Sequence, residues 1–195
     1  MQEGGGTTKT VEAGIAAVQS MLPLVDAARR QPLSAAGLVV ALQSSGEDAQ
    51  SPLTANPALG NAVDRLIAAG GTAVLTATSS FAGVAQALID RAASPAIGEQ
   101  LGQRIQWWDR YTAGTDTRFR RNVDPTTATA PTSATREAQL GNLGRAGSKP
   151  LSAVIEYAHP ITDKGLVFMD GPAYEAVSAT GQIASGANLI VFTTG

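Results

Sequence analysis

Apolar positions along the chain fall into two kinds of spacing that alternate from one end to the other. Val11, Ile15, Val18 and Leu22 recur at intervals of four, three and four residues. That spacing lines one face of a helix from Thr7 to Leu22, which Pro23, lacking an N–H, is expected to end. Gly37 to Leu42 is a short unbroken apolar run ending in the polar stretch Gln43 to Ser51, the pattern of a strand covered on both faces. Asn56-Pro57 supplies an N-cap and a proline at the first helical position. The helix it opens carries Leu59, Val63, Leu66 and Ile67 to a stop at Gly70-Gly71. Thr72 to Thr76 reads as a second strand. Phe81, Val84, Leu88 and Ile89 then stripe a helix ending before Pro95, and Ile97, Leu101, Ile105 and Trp108 stripe another from Ala96 to about Tyr111. At that spacing the Trp107-Trp108 pair is read as core packing rather than as a ligand platform.

Between Gly114 and Thr135 the periodicity disappears, and the stretch is assigned to a long loop. Arg118, Arg120 and Arg121 within it are read as a solvated cluster in preference to an anion site. A helix from Arg136 to Arg145 precedes two strand-like runs, Ser152–Tyr157 and Gly165–Met169. A small-residue helix from about Tyr174 to Ser185 leads to a last strand, Asn188–Thr193. Strands alternating with helices imply a layered α/β fold with a mainly parallel sheet, in one domain spanning residues 1–195.

Composition narrows the chemistry. The 195 residues contain no cysteine and one histidine, so thiolate-held zinc, iron–sulfur clusters, disulfides and two-histidine metal sites are all excluded. Lysine and arginine number 14 against 16 acidic residues, which leaves no electrostatic footprint for nucleic acid. No run of about 18 apolar residues and no basic leader occur, so no membrane span and a cytoplasmic setting are expected, and the glycines at Gly4-Gly5-Gly6 match neither the dinucleotide fingerprint nor the P-loop.

In open parallel sheets, ligands collect beyond the carboxyl ends of the strands. The residues following each apolar run are therefore the candidates: Gln43–Asp48, Thr76–Ser80, Asp170–Tyr174 and Thr193-Thr194-Gly195. Asp170 stands directly after Leu166-Val167-Phe168-Met169 and before Gly171-Pro172. It suits a metal ligand or a proton-transfer group, with helix capping or turn formation as the structural alternative. Glu47 and Asp48 are adjacent acids in the first such loop. His159, before Pro160, is assigned to a surface turn. Gly4-Gly5-Gly6-Thr7-Thr8 precedes a helix and offers backbone N–H groups to an anion, flexibility being the alternative.

Several stretches taken together resemble one family, the altronate and galactarate dehydratases, in their large C-terminal domain. They are Gln2-Glu3, Gly5-Gly6-Thr7, Lys9-Thr10-Val11-Glu12-Ala13-Gly14, Leu42-Gln43, Thr54-Ala55-Asn56-Pro57-Ala58-Leu59-Gly60 and Ala69-Gly70-Gly71-Thr72. Then follow Arg104-Ile105, Trp107-Trp108, Glu156-Tyr157-Ala158, Gly165–Asp170, Thr180-Gly181-Gln182, Gly186–Ile190 and Phe192–Gly195. Sulfolactate sulfo-lyase large subunits are similar too. The resemblance implies a three-layer Rossmann-like variant that binds a divalent metal, iron(II) being the one associated with activity, and dehydrates a sugar acid by β-elimination. It points to Asp170 and Asp48 as catalytic residues and to Asp170 as metal ligand. For a small carboxylic-acid substrate it points to Gly5, Gly6, Thr7, Thr54, Asn56, Gln182, Thr193 and Thr194. It implies no nucleotide cofactor, and as partner either a separate N-terminal subunit or a second copy in a homodimer.

The departures lie in loops. Where the family reads Gln-Cys-Gly-Gly-Ser-Asp, this chain has Gln43-Ser44-Ser45-Gly46-Glu47-Asp48; Thr78-Ser79-Ser80-Phe81 replaces family glutamates, and His159 stands where glutamate is common. Family members also extend beyond both ends of this sequence. Two function classes follow: a sugar-acid hydro-lyase domain, and a catalytically silent relative serving as a structural or ligand-binding module.

Overall fold

The computed structural model describes residues 3–44, 50–113 and 133–194. The chain divides into two compact units, Met1–Leu33 and Ser34–Gly195. The first is a single helix, α1 (Thr7–Ala27), none of whose side chains is buried. It runs through Pro23 instead of stopping there. Its missing hydrogen bond frees a carbonyl that water can satisfy on an exposed helix, so the proline is tolerated.

The second unit holds a five-stranded, wholly parallel sheet: β1 (Val39–Ser44), β2 (Thr72–Leu75), β3 (Leu151–Ile155), β4 (Gly165–Met169) and β5 (Leu189–Thr193), in the order β3-β4-β2-β1-β5. The α/β architecture expected from the patterning is therefore present. Residues alternate between the two faces of each strand. Val40, Leu42, Ala73, Leu75, Leu151, Leu166 and Phe168 turn toward one side, forming a single apolar cluster with Leu59 and Val63 of α2 (Asn56–Ala68), Leu88 of α3 (Gln86–Ile89), and Leu101 and Ile105 of α4 (Pro95–Thr112). Burying each of these large side chains contributes about 1.5–3 kcal/mol before conformational entropy is set against it. Ala41, Val74, Val167 and Met169 face the opposite way, where α6 (Glu175–Ala184) covers β1.

Local chemistry explains most element ends. Gly70, at φ 84°, closes α2, a conformation that costs glycine nothing. Ser94 caps α4 by accepting from the Ile97 N–H at 3.5 Å, with Pro95 at the first position. Three expectations need correcting. Asn56 is not an N-cap: a π-helical turn, Ser51–Ala55, runs straight into α2, and the buried Asn56 amide is used elsewhere. The apolar stripe from Phe81 to Ile89 is buried but not continuously helical, splitting into a 3₁₀ turn, Thr78–Phe81, and the one-turn α3. The long loop ends earlier than expected, because residues 133–135 open α5 (Ser133–Gly144); residues 114–132, with Arg118, Arg120 and Arg121, lie outside the described residues. Among the described residues no helix is long and apolar enough to cross a membrane.

Candidate active site at the carboxyl ends of the strands

The register of the sheet brings the candidate segments to one edge. Ala41 pairs with Val74, Leu75 with Phe168 and Ser44 with Thr193. Gln43, the Thr76–Thr78 turn, Asp170 and Thr193 thus emerge side by side from four adjacent strands, the placement that an open parallel sheet gives a ligand site.

At the β2–β4 position a polar knot is built around Asp170. Ala77 sits in the left-handed region at φ 76° and ψ 62°, which costs a residue with a Cβ about 1–2 kcal/mol. The turn is held by cross-strand bonds: the Thr78 N–H donates to the Gly171 carbonyl at 2.9 Å, and the Gly171 N–H donates to Thr78 Oγ1 at 3.1 Å. That leaves the Thr78 hydroxyl proton for Asp170 Oδ1, at 2.7 Å. The same oxygen accepts from Trp108 Nε1, also at 2.7 Å. The other oxygen, Oδ2, lies 3.9 Å from Arg104 Nη1, whose Nη2 pairs with Glu156 Oε1 at 2.8 Å. The hydrogen bond and charge of Arg104, helped by His159, hold Glu156 below the usual carboxylate range. His159 is exposed in the turn after β3, 3.6 Å from Glu156.

Two buried amide networks complete the edge. The Thr193 hydroxyl bonds Asn56 Oδ1 at 2.6 Å and also lies 3.2 Å from the Gln43 carbonyl oxygen, while Asn56 Nδ2 donates to the Gly141 carbonyl of α5 at 3.1 Å. On the α6 side, Gln43 Nε2 donates to Gln182 Oε1 at 2.5 Å and Gln182 Nε2 donates to the Val74 carbonyl at 2.7 Å. Every atom of the Gln182 amide is thereby engaged inside the protein, which fits a residue that ties α6 to β1 and β2.

Asn56, Asp170, Gln182 and Thr193 thus lie along one edge of the sheet but in three separate networks, and Asn56 and Gln182 are fully buried. Thr54 faces solvent and donates to the Gln50 carbonyl at 2.9 Å, one turn back in its own helix, and Thr194 is exposed. Gly5, Gly6 and Thr7 belong to the first unit. Asp48 and Glu47 lie outside the described residues. Trp107 and Trp108 are not core residues: Trp107 is 47% exposed and stacks on Tyr111 at 4.9 Å, while Trp108 turns its indole N–H to the aspartate. The missed signal was the i,i+4 spacing of Arg104 and Trp108, which puts a cation and an indole donor on one helix face.

No group of three potential metal-ligating side chains occurs among the described residues. Asp170 stands among hydrogen-bond donors and a guanidinium, which suit a carboxylate as such; the neighbouring hydroxyl oxygen, that of Thr78, is already engaged by Asp170 and the Gly171 N–H, and no second carboxylate joins them among the described residues. The described residues therefore do not by themselves fit a divalent ion. An apolar groove between α2 and β5, lined by Leu59, Val63, Leu189 and Val191, has no charged wall and is separate from this edge.

Residues 35–195 match the family model described as "D-galactarate/Altronate dehydratase, C-terminal". The chain belongs to that family. It is 28% identical over 193 residues to altronate dehydratase of Bacillus subtilis, covering 99% of this chain and 39% of that protein. It is 30% identical over 190 residues to galactarate dehydratase (L-threo-forming) of Escherichia coli, covering 97% and 36%. With (2R)-sulfolactate sulfo-lyase subunit beta of Chromohalobacter salexigens the identity is 27% over 202 residues, covering 99% and 50%. The chain thus spans well under half the length of the two dehydratases.

Proposed function

We propose that this dehydratase-family domain supplies part of a site that removes water from an altronate- or galactarate-like acid. The observation that carries the reading is the Asp170 carboxylate at the tip of β4, with one oxygen fixed by Thr78 and Trp108 and the other left beside Arg104. In β-elimination the proton α to the substrate carboxylate passes to a base. The C–H electron pair forms the new double bond, and the β C–O bond breaks with its hydroxyl leaving, once protonated, as water. The resulting enol tautomerises to a 2-keto-3-deoxy acid. A carboxylate whose orientation is set by two donors through a single oxygen is placed to take that proton on the other. Asp170 is the base in this reading, Thr78 and Trp108 are its positioning residues, and Arg104 holds the enediolate charge. Asn56 and Thr193, both buried, hold the edge in place and are not assigned a contact with the acid.

A divalent cation such as iron(II) belongs to the reading only with ligands beyond Asp170. The remainder of the site would come from another polypeptide portion, as a separate N-terminal subunit or a second copy, in a cytoplasmic setting. The test is dehydration of altronate and galactarate by the purified chain, alone and together with the N-terminal portion of a relative, read as 2-keto acid formed. Turnover that Asp170→Asn abolishes while the fold persists is the expected result. Turnover unaffected by that substitution removes Asp170 from the mechanism, and no turnover with either acid in any combination overturns the reading in favour of a silent relative.

A further inference from the structure

Among the described residues one buried charge, that of Arg145, has no part in the proposed elimination. Arg145 lies in the turn after α5, 4% exposed. Its guanidinium carbon stands 5.4 Å from the centroid of the Phe81 ring, and Nη1 reaches Asn142 Oδ1 at 3.3 Å. Nε is buried with no hydrogen-bond partner, and no carboxylate among the described residues pairs with the group. Desolvation alone pulls this guanidinium down to about 10, so at neutral pH it is a buried cation. Buried charges are ordinarily paired, because the solvation they give up has to be replaced. The Phe81 ring and the carboxyl end of α5 replace part of it, but five N–H donors need more than one amide oxygen.

A second orphan lies nearby. Gln139 Oε1 is buried without a partner, and it packs against Gly83, two residues beyond Phe81. Gln139 and Asn142 share a face of α5 at i,i+3. Phe81 closes the 3₁₀ turn that Thr78 opens, so the cation's aromatic neighbour lies about 6 Å along the chain from the residue bonded to Asp170. A buried donor without a partner, Arg145 Nε, and a buried acceptor without one, Gln139 Oε1, thus flank one short segment that follows β2.

We infer that Arg145 is an anchor for the carboxylate of a small hydroxy acid, with Gln139 accepting from a hydroxyl of the same molecule. The guanidinium fork matches two carboxylate oxygens, which meets its donors and cancels its charge together. The inference deepens the dehydratase reading by assigning the group that grips the end of the substrate away from the reacting carbon.

The experiment uses the whole chain, with malonate and galactarate as probes and chloride at equal ionic strength as reference. The Arg145 Nε–H resonance, assigned by its absence from Arg145→Lys, is expected to shift saturably with both dicarboxylates and not with chloride. The thermal midpoint of the unmodified chain should rise with malonate. Arg145→Met should be no less stable in anion-free buffer, because an unpaired buried charge has been removed, and its response to malonate should be weaker by at least about tenfold. An Nε–H resonance unmoved by either dicarboxylate, or an Arg145→Met chain that keeps the full malonate response, overturns the anchor. If Arg145→Met does not fold, the resonance of the unmodified chain decides alone. Anchoring and catalysis separate cleanly: dicarboxylate binding without turnover retains the anchor and rejects the dehydratase reading, whereas turnover with an unmoved resonance does the reverse.

Discussion

Trp108 Nε1 donates to Asp170 Oδ1 at 2.7 Å, joining α4 to the tip of β4 across 62 positions of sequence. The same oxygen accepts from Thr78, so the carboxylate has one committed oxygen and one facing Arg104. That asymmetry makes Asp170 the focus of the edge. Trp108→Phe keeps most of the ring's packing and removes one charge-assisted bond. It should cost about 1–2 kcal/mol in urea unfolding. In an assembly that turns over it should lower kcat more than it raises KM, because the base is misaligned and not removed.

The buried amides of Gln43 and Gln182 form the other internal constraint. Gln182→Leu leaves Gln43 Nε2 and the Val74 carbonyl without their partner, a loss of about 2–4 kcal/mol measured by chemical denaturation. Gln43→Leu combined with it should cost less than the sum of the two single changes, since the orphaned Gln43 donor is then gone.

Asp64 links α2 to the turn before β3. Its Oδ1 accepts from the Ser148 and Lys149 N–H groups at 2.8 and 3.2 Å, and Oδ2 accepts from the Ser148 hydroxyl at 2.8 Å. Desolvation, the largest single influence, acts upward, but these bonds and the Lys149 charge together outweigh it and hold the carboxyl below its ordinary 3.8. A carboxylate lowered on folding adds stability that is complete above its unfolded value and lost as pH falls through its folded one. The stability difference between the unmodified chain and Asp64→Asn should therefore be flat at neutral pH and close below about pH 4. A gap that persists unchanged to acid pH would contradict the assignment.

Two neighbouring glycines of the α2–α5 contact should respond oppositely. A Cβ on Gly60 would meet the Gly144 carbonyl oxygen and lie 3.0 Å from the Gly147 nitrogen, both backbone atoms that cannot rotate away. Gly60→Ala is expected to destabilise by about 3 kcal/mol. A Cβ on Gly144 meets nothing closer than 3.7 Å, in the Pro57 ring, so Gly144→Ala should be neutral or gain up to about 1 kcal/mol from helix propensity. Unfolding midpoints of the two variants check both signs.

Much of the molecule was written locally. Gly165–Met169 was read as a strand and is one with those bounds, since an apolar run buried on both faces depends on nothing but its own composition. The stop at Gly70-Gly71 and the start near Pro95 are likewise properties of a few adjacent residues. Asn56 shows where that reading fails. Beside a proline it looks like a helix cap, yet its partners are Thr193 and the carbonyl of Gly141, 137 and 85 positions away.

By itself the sequence determined the alternation of strands and helices, the parallel α/β class, the absence of cysteine chemistry and the likeness to the sugar-acid dehydratases. Tertiary structure decided the strand order β3-β4-β2-β1-β5 and, with it, which polar residues share an edge. It turned Trp108 from the core to Asp170 and buried Arg145 over Phe81 without a carboxylate among the described residues. The reason is physical: apolar periodicity is fixed by which side of its own element a residue occupies, whereas a hydrogen-bond partner is fixed by which elements the folded chain sets next to each other.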